Sequence, residues 1–158
     1  NRLSHALCWL AEMEDKVVGL LIAFPGEHIK YLERQTGWQF LRLFGLPSFL
    51  RLARIQSEYG GMLEAEKGEY YLSNVSVTPA LQGRGLGAEL LAFADRQAQA
   101  AGCSKCSLLV SFDNPACRLY ERTGYHTVHS FEIDHPIIAH GSGGFHRMVK
   151  ELMPTGMG

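Results

Sequence analysis

Val75-Ser76-Val77-Thr78-Pro79-Ala80-Leu81-Gln82-Gly83-Arg84-Gly85-Leu86-Gly87-Ala88 reads as a strand tail, a proline turn and three glycines at alternate positions that run into a helix. A glycine-rich loop at a helix N-terminus gathers several backbone N–H groups in one concavity, and the helix dipole adds about half a positive charge there. Glycine suits such a loop because the backbone must approach an anion closely and take positive φ at some positions. Arg84 can add a charge-assisted contact from the side. The stretch therefore predicts a phosphate cradle.

The helix that follows is legible from Leu86 to Ala101: Leu86, Leu90, Phe93, Ala94 and Ala98 line one face, and Gly102 supplies the stop. A strand from Tyr70 to Thr78 precedes the turn, and another from Cys106 to Phe112 follows the helix. Strand, glycine turn, helix, strand is a right-handed crossover that joins two parallel strands. Gly83-x-Gly85-x-x-Ala88 also fits the relaxed dinucleotide fingerprint. However, no acidic residue lies between Gly102 and Leu109, where a ribose partner about 20 positions on belongs. A P-loop is excluded, since no Gly-Lys-Ser/Thr follows.

Outward from this unit, Ala6 to Met13 and Val17 to Phe24 form two strand-length apolar runs around Glu14-Asp15-Lys16, an antiparallel hairpin in which Gly19 marks a bulge. From about 27 to 61 the pattern turns helical, with a break at Gly45-Leu46-Pro47. Arg42, Arg51 and Arg54 are read there as solvated charges of amphipathic helices, with a substrate lid or partner surface as the second option. After the second crossover strand, Asn114 reads as a helix N-cap with Pro115 at the first helical position and Gly124 as the stop. His126 to Ile133 and Gly144 to Leu152 are the last two strands, joined by the Pro136 to Gly143 loop, and Pro154 to Gly158 is a loose tail.

The 158 residues suit a single domain, 1–158, with a helical insertion at about 27–61. A net charge of −1 with 20% charged residues gives no electrostatic reason to expect nucleic acid or a membrane as partner. The longest apolar run, Val17 to Phe24, is far short of the ~20 residues that cross a bilayer. Cys8, Cys103, Cys106 and Cys117 are too few and scattered for a disulfide framework, which favours a reducing cytoplasm. Cys103-x-x-Cys106 lacks the second ligand pair of a zinc site, and His135, His140 and His146 lack metal-ligand spacing, so no metal is expected.

A second string, Asn114-Pro-Ala-Cys-Arg-Leu-Tyr120-Glu-Arg-Thr-Gly-Tyr125, completes the pattern. Gln82-Gly-Arg-Gly-Leu-Gly87 resembles the pyrophosphate motif Q/R-x-x-G-x-G/A of the GNAT superfamily of acyl-CoA-dependent N-acetyltransferases. The second string resembles that family's N-x-x-A-x-x-L-Y-x-x-x-G-F/Y. The likeness runs over residues 6 to 152 and is most specific over 70 to 126.

The resemblance implies an α/β (α+β) fold: a mixed, mostly antiparallel sheet with a central parallel pair of splayed strands, flanked by helices. It implies acetyl-CoA as cosubstrate, held between the parting strands. Val75, Ser76 and Val77 would offer backbone groups to the pantetheine arm. Gln82, Gly83, Arg84, Gly85, Leu86, Gly87 and Ala88 would hold the pyrophosphate, and Asn114 would bond the arm from the other wall. Tyr120 would protonate the leaving thiolate, and the N–H near Val75 would stabilise the oxyanion. Cys117, three residues before Tyr120, raises a covalent route, but no His partner stands near it in sequence.

The family's strand glutamate is replaced by Tyr71. The general base is therefore Glu69, a C-terminal histidine or water, and Glu69 reads equally as a solvated loop-end charge. The acceptor is a small-molecule or peptide amine. The family's first strand and helices are missing before the hairpin; they are deleted, disordered, or replaced by another subunit as in a homodimer, and the 27–61 segment could stand in as the acceptor wall. The alternative function is a non-catalytic acyl-CoA-binding sensor.

Overall fold

Glu14 and Asp15 carry positive φ, 50° and 59°, the geometry of a two-residue hairpin turn whose twist matches the strands it joins. Those strands are β1 (Cys8–Met13) and β2 (Lys16–Pro25), paired antiparallel as the apolar runs predict. The computed structural model describes residues 7–58, 65–133 and 143–153. His135 and His140, most of the loop before the last strand and the C-terminal tail lie outside the described residues.

A short 3-10 turn, Gly26–His28, leads into α1 (Ile29–Glu58). Gly45 breaks that helix with φ 76° and ψ 172°, two residues before Pro47, where the sequence places the break. Next come β3 (Glu69–Val77), α2 (Leu86–Ala100), β4 (Lys105–Ser111), α3 (Cys117–Arg122), β5 (His126–Glu132) and β6 (Gly144–Glu151). The six strands form one sheet in the order β1-β2-β3-β4-β6-β5. β3 and β4 are parallel and every other pair is antiparallel. The parallel pair is the one that the crossover unit predicts, and the mixed, mostly antiparallel sheet around it is the architecture that the family resemblance implies.

Both crossover helices lie on one face of the sheet. Leu90, Leu91, Ala94 and Ala98 of α2 and Tyr120 of α3 pack there with Leu21, Ala23, Tyr70, Leu72, Leu108, Val110 and Met148. On the opposite face Ile29 and Leu32, the first turn of α1, pack with Phe24 and Tyr71. Beyond that turn, no residue from Trp38 to Leu50 is buried.

Two irregularities shape the middle of the sheet. Ala11 pairs with Gly19 and Glu12 with Val17, which leaves Val18 unopposed beside the glycine that the sequence marked. A Cβ at Gly19 would stand 3.1 Å from Leu90 Cδ1 and 3.3 Å from the Ser76 carbonyl, so glycine lets α2 approach the sheet closely. On β3, Ile22 pairs with Asn74 but Ala23 with Leu72, so Ser73 is an extra residue. Such a bulge flips the alternation of a strand. Tyr70 and Leu72 before it and Val75 and Val77 after it consequently all reach the α2 side.

Candidate functional site

Parallel pairing between β3 and β4 begins at Glu69 with Lys105 and ends at Leu72 with Leu108. β3 nevertheless runs on to Val77 and β4 to Ser111. Past the Ser73 bulge the two strands therefore part, and the glycine turn stands at the open end of β3. Thr78 is tied there by its N–H to the Val18 carbonyl (2.9 Å), and Gln82 Nε2 donates to the Val77 carbonyl (3.1 Å). Gln82 thus fastens the turn to the strand end.

Gly83 and Gly85 have φ of 76° and 92°, and a Cβ at either would meet nothing within 4 Å. Helical bonding starts with the Glu89 N–H on the Gly85 carbonyl, and no side chain caps the helix start. The N–H groups of the first helical residues, Leu86, Gly87 and Ala88, therefore have no partner within the helix. An open concavity of uncapped N–H groups beside the exposed Arg84 fits a phosphate. Gly87 has a different geometry: a Cβ there would stand 2.8 Å from Leu119 Cδ2 of α3. Its lack of a side chain lets α3 pack on the first turn of α2, which joins the two sequence motifs in space.

Asn114 caps the turn that opens α3. Its Oδ1 accepts the Ala116 N–H (2.9 Å) and its carbonyl accepts the Cys117 N–H (3.1 Å). Regular helix starts at Cys117, later than the Asn114-Pro115 pattern suggests, because the first turn is closed by these tighter bonds. At the far end Gly124 has φ 97°, the Gly124 N–H reaches the Glu121 carbonyl and the Tyr125 N–H the Tyr120 carbonyl. This is a Schellman stop.

Tyr120 is buried in the same apolar cluster against which Val75 and Val77 pack. Burial raises its phenol pKa, with Cys117 adding to the effect, so it is a protonated acid at neutral pH. Cys117 is half-buried, and its thiol is also pushed up, by burial first and then by Glu121. It is a thiol there and a poor nucleophile.

Glu69 is neither a solvated charge nor a free base. It is buried, receives Arg147 Nη2 at 2.6 Å and accepts the Glu66 N–H at 2.9 Å. Arg147 is itself buried on β6 and keeps one unpartnered atom, Nε. Sequence reading missed this partner, 78 residues away. Its one signal was an arginine between Phe145-His146 and Met148-Val149 on the last strand. His146 packs its ring on Phe112 (4.4 Å) and its Nδ1 meets Ser130 Oγ at 2.9 Å. Among the described residues no group of His, Cys, Asp and Glu could hold a metal ion.

The model of the acetyltransferase (GNAT) family matches residues 1–125. The chain belongs to that family, and its class is acyltransferase. No curated protein matches. Among solved structures, one described as an acetyltransferase is 24% identical with a TM-score of 0.64, over 96% of this chain and 73% of its own. An N-acetyltransferase from Staphylococcus aureus Mu50 is 24% identical (TM-score 0.61, 94% and 72% covered). An acetyltransferase from Bacillus subtilis, solved in complex with CoA, is 14% identical (TM-score 0.57, 92% and 76% covered). At these identities the structures establish the shared fold.

Proposed function

We propose that this chain transfers acetyl from acetyl-CoA to a primary amine by direct attack within a ternary complex. The observation that carries the reading is the parting of β3 and β4 after Leu72 and Leu108, with the uncapped glycine turn at its open end. Val75, Ser76 and Val77 supply backbone groups along one wall, and Asn114 stands at the start of the other. Gly83, Arg84, Gly85, Leu86, Gly87 and Ala88 take the pyrophosphate, with Gln82 holding their loop in place.

The neutral amine attacks the thioester carbon, its N–C bond forms, and negative charge grows on the carbonyl oxygen, where an N–H near Val75 stabilises it. The C–S bond then breaks and Tyr120 gives its proton to the thiolate. The amine's own proton leaves to water, since Glu69 is engaged by Arg147. Cys117, a raised-pKa thiol, takes no part in the transfer. A reducing cytoplasm suits the four free cysteines.

The sensor reading draws on one observation: Glu69, at the paired end of β3, is locked in an ion pair with Arg147. A thiol-release assay across peptide, amino-acid, polyamine and aminoglycoside acceptors separates the two. Turnover with at least one amine class supports the transferase; tight acetyl-CoA binding with no thiol release from any class supports the sensor.

A further inference from the structure

Between Glu33 and Glu58 the chain has no acidic residue, four arginines (Arg34, Arg42, Arg51, Arg54) and a run of Trp, Phe and Leu. The whole-chain net charge of −1 conceals this segregation. The segment is the part of α1 that leaves the sheet. Among the described side chains of α1, Ile29 and Leu32 of its first turn are the ones buried in the core. Phe49 returns to the first arm at Gly37, where a Cβ would meet its ring at 3.7 Å, so the helix folds back on itself around Gly45.

The bend is apolar and exposed: Leu43 is 77% exposed, Phe44 60% and Leu46 57%, with Trp38 and Leu50 also more than half exposed. Arg42 and Arg51 flank it, both exposed.

We infer that the bend of α1 is a wedge for an anionic lipid surface: Leu43, Phe44 and Leu46 enter the headgroup–acyl boundary, and Arg42 and Arg51 meet the lipid phosphates. Two features choose this occupant. A protein groove takes one face of a helix, read at spacings of three and four residues. Here consecutive apolar residues surround a reversal of the chain and face several directions, which a fluid apolar medium can cover all at once. A second copy docked through the same tip would bring Arg42 and Arg51 against their counterparts, and like charges at an interface are costly. Lipid phosphates supply the opposite charge, and arginine stems can lie along apolar surface with their heads at the headgroups. The contact is interfacial: no helix among the described residues is long and apolar enough to cross a membrane.

The test is flotation of the full chain with vesicles of equimolar phosphatidylglycerol and phosphatidylcholine against phosphatidylcholine alone. The chain should float with the anionic vesicles only, and less so as salt rises. Arg42→Gln/Arg51→Gln should weaken partition about 25-fold, at roughly fivefold per arginine. Phe44→Ser/Leu46→Ser should abolish it with unchanged circular dichroism, since both side chains are exposed. In a Trp9→Phe background, Trp38 emission should shift to the blue on the anionic vesicles. Equal partition to both vesicle types, or partition that neither double variant changes, overturns the assignment. So does concentration-dependent self-association lost in Phe44→Ser/Leu46→Ser without vesicle binding, or capture of an acidic protein segment by the same tip without it.

Discussion

Tyr120 and Tyr125 are fixed to one another twice: the Tyr125 N–H donates to the Tyr120 carbonyl at 3.0 Å, and their rings meet edge-on with centroids 5.8 Å apart. The proposed proton donor is therefore held by the stop signal of its own helix. Gly124, at φ 97°, makes that stop possible. Gly124→Ala should destabilise the chain by about 1–2 kcal/mol, the cost of a left-handed conformation for an L side chain. It should also lower kcat more than it raises KM for acetyl-CoA. Denaturant melts and steady-state kinetics check the two parts, and a variant with wild-type stability would contradict the strain argument.

Gly87 couples the phosphate turn to α3 through Leu119. Gly87→Ala should push the two helices apart and raise KM for acetyl-CoA. Leu119→Ala in the same chain should recover much of the loss, because it removes the atom that a Cβ would strike at 2.8 Å. A double variant no better than Gly87→Ala would show that the glycine matters for the ligand's approach rather than for packing.

Removing Arg147 leaves Glu69 buried without its cation, and neutralising Glu69 leaves Arg147 only the exposed Glu66 carboxylate at 4.0 Å. Arg147→Met and Glu69→Gln should each cost about 3–5 kcal/mol, whereas Glu69→Leu/Arg147→Met should be much closer to wild type. Chemical denaturation of the three variants measures this. If Glu69 were the catalytic base, Glu69→Gln would instead keep its stability and lose the acidic limb of the rate profile.

Cys106 is fully buried on β4, and burial, with Asp95 next, lifts its pKa from the ordinary 9.0 to about 12. The folded state holds that proton more tightly than the unfolded one. Its contribution is thus complete below pH 9 and is lost as pH rises toward 12, with a slope of up to about 1.4 kcal/mol per pH unit. Stability measured from pH 8 to 11 should fall, and Cys106→Ala should remove part of the fall, since burial also raises Tyr70, to about 12, and Tyr120.

Much of this was legible because it is local. The hairpin turn, the Gly45 break, the glycine turn and the Gly102 and Gly124 stops depend on residues within a few positions of each other, and each left its mark in glycine placement or apolar period. What escaped depends on contacts far apart in sequence. The extra residue at Ser73 shows only as a register shift against β2, yet it decides which side chains of β3 face α2. Glu69 reads as a loop-end charge until β6 brings Arg147 beside it. Gly87 belongs to a phosphate motif by spacing, and its packing against Leu119 exists only once α3 has folded onto α2. The tip of α1 is legible in part: Arg42, Arg51 and Arg54 stand out among its apolar residues, with a lid or partner surface as the second option, but a charge averaged over the whole chain hides their segregation.

The claim that the parted strands deliver a thioester to a waiting acid is tested most directly at Tyr120. Thiol release and acetyl-CoA affinity should be measured on the same preparation of Tyr120→Phe. The account predicts that kcat drops by about 10²–10⁴ while affinity stays within a few-fold of wild type. Unchanged turnover in that variant would contradict it.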